Sequence, residues 1–309
     1  MNHAESVHEA EPANLSRRKR TGEGLMLSRR SLAFGAAGAS LLLAAAEAKA
    51  QQNAPAKPTT SSTMDRITET KTLRIAALPG EAPYFNKDIA TGEWTGMCIA
   101  MTQDIAKIFG AKVEYVESTY GNSVLDLQAN KIDLAYALNP TPLRALVIDF
   151  THPFYLHGFG MVGKKGFTAA DWSDLDKPEV KVACDIGSAQ EIAARRFCPH
   201  ATITALPKRD DCILAVQSGR ADCVILAVNL GLTAVKKNTE LGKFMMLHHP
   251  TVKLPTCMGI QMETDKRWQN FLNAWVDYNR GIEQIRQWLY DGLAINGVKP
   301  EDIPADVEL

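Results

Sequence analysis

The sequence predicts an α/β protein of two similar lobes, each a parallel sheet covered by helices. Three observations predict it. Strand-like and helix-like segments alternate from Leu73 onward, the same rhythm restarts near Val180, and an extended passage follows each of the two units. In the first unit, residues 73–78 form a short apolar strand closed by Pro79-Gly80. Residues 96–109 carry apolar side chains at helical spacing and stop at Gly110. A strand at 113–116, a short helix at 123–130 and a strand at 132–137 complete the unit.

The second unit repeats this order. A strand at 180–184 leads through Gly187-Ser188 into a helix at 189–197; a strand at 202–204, a helix at 211–218 and a strand at 221–228 follow. Lys131-Ile132-Asp133 and Arg220-Ala221-Asp222 hold equivalent places before a hydrophobic strand in each half. The extended passages are the Gly-rich stretch 154–163 and residues 252–262. From 268 to 293 the apolar residues Phe271, Leu272, Trp275, Ile282, Ile285 and Leu289 predict two helices broken at Gly281. These lack strands of their own. The simplest closure packs them on the first lobe, giving lobe one as 70–158 with 256–300, lobe two as 159–255, and two crossing strands between them. Such a pair of crossovers suits hinge closure around a ligand.

Composition narrows the function. The 309 residues are 46% hydrophobic and 22% charged with a formal net charge of -1, a soluble globular profile without a basic footprint for nucleic acid. Ser28-Arg29-Arg30-Ser31 runs into an Ala/Gly-rich apolar stretch of about 15 residues, short of the roughly 20 that span a bilayer. It ends at Ala48-Lys49-Ala50, a small-x-small cleavage pattern. Residues 1–50 therefore read as a leader with Arg29 and Arg30 as a twin-arginine export signal, cleaved near Ala50 to leave a periplasmic protein. Met26, just before the arginines, is a candidate true start. Residues 51–69, rich in Gln, Ala, Pro, Ser and Thr, read as a flexible tether. The six cysteines form no C-x-x-C and read as buried free thiols, and no Cys/His spacing calls for a metal or other cofactor. Among enzymatic motifs, H-E-x-x-H, G-x-S-x-G and the P-loop are all missing.

Several motifs occur in a specific order: Leu73-Arg74-Ile75, Ala82-Pro83-Tyr84-Phe85, Gly92-Glu93-Trp94-Thr95-Gly96, Lys131-Ile132-Asp133-Leu134 and Thr141-Pro142-Leu143-Arg144. Asp149-Phe150-Thr151-His152-Pro153-Phe154-Tyr155, Gly187-Ser188 and Gly219-Arg220-Ala221-Asp222 complete the series. From Leu73 to about Leu293 the chain resembles family 3 of the periplasmic solute-binding proteins, which serve polar amino-acid ABC importers. The resemblance implies the type II periplasmic-binding-protein-like fold, a small carboxylate ligand, a membrane permease as partner, no nucleic acid, no cofactor and a monomer.

It also implies a site. Arg144 is placed to pair with the ligand's carboxylate, a role suited to a planar, permanently charged guanidinium. Ser188 opens a helix with Glu191 three residues on, so it either binds a ligand carboxylate at the helix start or only caps the helix. Thr141 either contacts ligand or caps the next turn. Asn139 and the backbone near Ala137 fall where the family presents hydrogen-bonding groups, and Glu81, Tyr84 and Tyr120 fall near the cleft wall. Amino-acid binders of the family carry an acid where this chain has Ala227; a ligand ammonium would then need Glu81 or Asp185, or the ligand lacks the amine. The rival reading is a periplasmic dehydratase acting on prephenate-like acids, with Glu81 as the candidate acid or base.

Overall fold

A computed structural model describes residues 61–303. The leader, the twin arginine and most of the tether lie outside the described residues. The tether is shorter than expected: helix α1 (Thr63–Thr70) starts inside it, with the Ser62 hydroxyl accepting the Asp65 N–H at 3.3 Å. Its Ile67 is fully buried and Met64 packs against the core as well, which makes an otherwise polar segment part of the body.

The first unit runs β1 (Thr72–Ala77), the short hairpin strands β2 (Asn86–Lys87) and β3 (Trp94–Thr95), α2 (Met97–Phe109) and β4 (Lys112–Glu117). Strands β1 and β4 pair in parallel from Thr72↔Lys112 to Ala77↔Glu117, joined by α2, which buries Met97, Cys98, Met101 and Ile105. Helix α3 (Tyr120–Gln128) begins three residues earlier than the sequence reading put it, because Thr119 caps it. Strand β5 (Ala135–Leu138) begins three residues later. The delay has a cause in Asp133. Its buried carboxylate accepts the Arg74 N–H at 2.7 Å and pairs with the Arg66 and Arg74 guanidinium groups, so here side-chain bonds supplement a single parallel bridge to β1, Ile75↔Leu134.

After α4 (Pro142–Ala145) and β6 (Ile148–Phe150), the long β7 (Tyr155–Lys164) leads into the second unit. There α5 (Trp172–Leu175), β8 (Lys181–Asp185), α6 (Ala189–Phe197), β9 (Thr202–Leu206), α7 (Arg209–Gln217) and β10 (Cys223–Ala227) follow in order. Strands β9, β8 and β10 are parallel, and β10 lies antiparallel to β7. Every residue of β10 is buried, which explains its unbroken apolar run: it lies inside a mixed sheet, parallel to β8 and antiparallel to β7, with both faces covered.

Besides α1 and several elements of two to four residues, two longer ones in the second unit escape the sequence reading. The apolar run of β10 continues without a break into α8 (Val228–Lys237), and β11 (Leu241–Met246) then pairs with β7. Ala227 at the start of α8 offers no side-chain cap, so no start signal separates strand from helix. Gly231 inside α8 looks like a breaker; it is there because an added Cβ would lie 2.1 Å from the Phe244 ring on β11.

Strand β12 (Lys253–Gln261) returns the chain. Its first residues, Lys253 to Thr256, pair with Gly158 to Tyr155 of β7, and its later residues pair with β5 and β6. Beyond it α9 (Arg267–Gly281) and α10 (Gln284–Ile295) break just after Gly281, as expected. Both pack on the first unit: the Trp268 indole N–H donates to Asp133 O and that of Trp275 to the Asp104 carboxylate at 2.8 Å. All six cysteines are buried and free.

Candidate functional site

A small cavity lies where the first and second units meet. It is lined from the first unit by Tyr84, Tyr120, Ala137, Asn139 and Arg144, and from the second by Ser188, Ala189, Gln190, Ala227 and Leu230, with His157 of β7 between them. Its volume is only about 10 Å³, room for one water, so a solute enters only when the units part or the lining side chains move.

Arg144 sits in the one-turn helix α4, whose start is fixed by the Thr141 hydroxyl accepting the Arg144 N–H at 3.4 Å. The side chain is 8% exposed. One Nη donates to Asn139 O at 3.1 Å, and the other crosses to Gly187 O at 2.8 Å. Both acceptors are neutral carbonyls; among the described residues no carboxylate reaches it. Burial lowers the arginine's pKa, against a smaller opposing pull from Tyr120 and Asp185. A buried guanidinium hydrogen-bonded only to carbonyls has its charge incompletely compensated, and an incoming carboxylate is the group that satisfies it.

Across the cavity Ser188 caps α6, its hydroxyl accepting the Glu191 N–H at 3.1 Å. The expected reciprocal bond is displaced by one residue. Glu191 reaches back to the Gly187 N–H at 2.7 Å, and Ser188 N–H turns to Asp185 O. Gly187 adopts φ 74°, the left-handed conformation glycine permits at little cost, and this aims its carbonyl at Arg144. Ala189 and Gln190, which border the cavity, form the first turn of α6, where backbone N–H groups lack helical acceptors and the dipole favours an anion.

The other sequence-predicted residues divide. Asn139 borders the cavity and is held there, donating to Pro255 O at 2.8 Å. Tyr84 borders it too, its hydroxyl bonded to that of Tyr155 and approached by the Asn229 amide. Thr141 stays at the start of α4 and does not line the cavity. Glu81 stands behind Tyr120, which donates to its carboxylate at 3.1 Å, and faces a separate recess shared with Asp185 and Arg209.

That recess holds a group no motif announced. Arg209, the first residue of α7, donates from Nε to Glu81 at 3.2 Å and from Nη2 to Asp185 at 2.8 Å. All three are at most 4% exposed. Burial works against the charge of Arg209, but Asp185 and Glu81 outweigh it and hold its proton more tightly. Burial pushes Glu81 up to about 7, against the pull of Arg209, because one guanidinium cannot fully compensate two carboxylates. Glu81 and Asp185, the two acids that could meet a ligand ammonium, are both committed to Arg209. His157 was also missed. Its Nδ1 meets the Thr256 hydroxyl at 2.7 Å, and burial lowers the imidazole to about 3, so it is neutral at any physiological pH. Among the described residues no cluster of His, Cys, Asp or Glu could hold a metal ion, and no helix is long and apolar enough to cross a membrane.

Comparison with known proteins agrees with this architecture. The chain is 25% identical over 178 residues to a probable histidine-binding protein of Campylobacter jejuni, covering 57% of this chain and 67% of that one. It is also 25% identical over 187 residues to the cyclohexadienyl dehydratase of Pseudomonas aeruginosa, covering 60% and 66%. The matched stretches span 39% to 67% of the curated relatives' own length. Among solved structures, the ancestral amino acid-binding protein AncCDT-1, described as a precursor of cyclohexadienyl dehydratase, superposes with TM-score 0.67 at 28% identity. That superposition covers 74% of this chain and 98% of AncCDT-1. The L-arginine-bound AbpA of Streptococcus pneumoniae shares the fold with TM-score 0.70 at 22% identity, covering 76% and 100%. These neighbours are two-lobed amino-acid-binding proteins, and the mixed α/β fold expected from the sequence is the fold observed. A family model matches residues 73–246, and the chain belongs to the bacterial extracellular solute-binding proteins, family 3.

Proposed function

We propose that this chain captures a small carboxylate-bearing solute outside the cytoplasmic membrane and delivers it to the permease of an ABC-type importer. The observation that carries the reading is Arg144, a buried cation without an acid that bridges the two units at their shared cavity. The lobes, 70–158 with 256–300 and 159–255, would rotate about the paired segments Tyr155–Gly158 and Lys253–Thr256. A solute that bridges Arg144 and the start of α6 favours the closed form by its differential affinity. Export through the leader with Arg29 and Arg30 completes this reading, and a monomer suffices for it.

Titration calorimetry on the chain from Gln51, against a panel of carboxylates and amines, tests the proposal. Saturable binding of a carboxylate with no chemical change in it is the expected result. Arg144→Ala should weaken that binding by roughly thirtyfold to a thousandfold, the 2 to 4 kcal/mol cost of removing one partner of a buried charge pair. Unchanged affinity in that variant would remove Arg144 from the site. The second reading, dehydration of a prephenate-like acid, is supported by the dehydratase relative and by Glu81, whose carboxyl is raised to about 7. Product accumulating from prephenate over time would favour it.

A further inference from the structure

We propose that the solute is a carboxylate without an α-ammonium group, a keto, hydroxy or unsubstituted acid, and that Arg209 sets this preference by holding the acids an ammonium would need. The inference rests on Arg144 as the carboxylate's partner and concerns the rest of the ligand.

It follows from where the charges lie. Among the described residues the buried carboxylates are Glu81, Asp133 and Asp185. Asp133 is stapled to Arg66 and Arg74, away from the cavity. Glu81 and Asp185 both belong to Arg209, on the far side of Tyr120. The cavity wall has one charged side chain, Arg144, beside the positive end of α6 and the neutral amides of Asn139 and Gln190. Beyond the start of α6, the second unit's wall is Ala227, the last residue of β10, and Leu230. A zwitterion seated on Arg144 would bury its ammonium with no anion on the cavity wall, and an unpaired buried charge costs several kcal/mol. A keto or hydroxy oxygen in the same place needs only a neutral donor, which Gln190 and the Tyr84 hydroxyl, an acceptor from Tyr155 and Asn229 with its own proton to give, can supply.

One oxygen of Asp185, Oδ1, is buried without a partner. Asp185 borders the recess with Arg209 and is absent from the wall of the Arg144 cavity, so an ammonium that reached it would compete with a guanidinium already 2.8 Å from the other oxygen of the same carboxylate. Arg209 thus acts as a built-in substitute for the ligand's cation. It compensates the acids and at the same time ties the first unit to the second through Glu81.

The test is titration of the wild-type chain with matched pairs that differ only at the α carbon. Suitable pairs are pyruvate with alanine, α-ketoglutarate with glutamate, α-ketoisocaproate with leucine, phenylpyruvate with phenylalanine, and arginine with its α-keto analogue. In every pair that binds, the keto acid should bind at least tenfold more tightly than the amino acid. An amino acid binding as tightly as its keto partner, or more so, overturns the preference while leaving the carboxylate reading intact. Binding by no member of either class overturns both. Ala227→Asp, which puts a carboxylate on the cavity wall, should narrow or invert the ratio; a variant that stays folded by circular dichroism yet keeps the wild-type ratio also counts against the proposal.

Discussion

Two arginines, one from each unit, cross between the units in opposite directions, and their surroundings could hardly differ more. Arg144 reaches from the first unit to a backbone carbonyl of the second and meets no acid. Arg209 reaches from the second unit to Glu81 of the first and holds Asp185 as well. Both are buried. A guanidinium desolvated without a paired counter-charge is a cost to the folded protein that a ligand can relieve, whereas one shared by two carboxylates already has its charge paired and serves to join the units. The contrast separates binding from closure.

The largest effect expected from breaking this comparison is at Arg209. Arg209→Leu leaves two carboxylates buried beside each other and should lower stability by about 3 to 5 kcal/mol, read from denaturant midpoints. Arg144→Ala should do the reverse of that pattern: a large loss of affinity with a melting temperature unchanged or raised, because an uncompensated cation has gone. Similar destabilisation by both substitutions would erase the distinction drawn here.

Titration sharpens the comparison further. Glu81 sits at about 7 in the folded protein against an ordinary value of 4.5, so between these pH values the folded form keeps a proton that the unfolded chain releases. Stability from this group is therefore present at low pH and lost as pH rises toward 7. His157 runs the other way. At about 3 against 6.5, it stays neutral when folded, so stability is lost as pH falls below 6.5. The two slopes oppose each other between about pH 4.5 and 6.5, and only the Glu81 slope remains up to 7. Thermal melts of Glu81→Gln should lose the decline on the alkaline side of neutral-acid pH, and His157→Asn should flatten the acid limb, each by on the order of 1 to 3 kcal/mol. The smallest effect belongs to Ser188→Ala, which removes a helix cap worth about 1 kcal/mol and should lower the melting temperature by about 2 to 4 °C. A ligand-affinity loss exceeding what that destabilisation explains would show that the hydroxyl also touches solute.

The paired units also show what kind of signal a sequence transmits. Asp133 and Asp222, matched from their place before a strand, do the same work: each carboxylate accepts a backbone N–H near the start of its unit's leading strand, from Arg74 at 2.7 Å and from Lys181 at 2.8 Å. The shared place before a strand is local in spacing and could be read; the bonds themselves reach back 59 and 41 residues and could not. Ser188 as a helix cap was legible for the same reason, whereas Arg144 was singled out only through the family resemblance of Thr141-Pro142-Leu143-Arg144. Arg209 was not. Its partners lie 128 and 24 residues away, and in sequence it is one charge in Lys208-Arg209-Asp210-Asp211, where the following aspartates predict only a helix start. Helix α8 and strand β11 were lost because β10 runs into α8 with no capping residue between them.

By itself the sequence determined the alternation of strand and helix, the doubling of the unit, the break after Gly281 and the helix start at Ser188, because apolar periodicity and capping act over a few residues. Tertiary structure alone decided that Arg144 would be left without an acid, that Glu81 and Asp185 would be given to Arg209, and that His157 would be neutral. Charge compensation and desolvation depend on which groups the fold brings within a few ångströms, and no spacing along the chain encodes that distance.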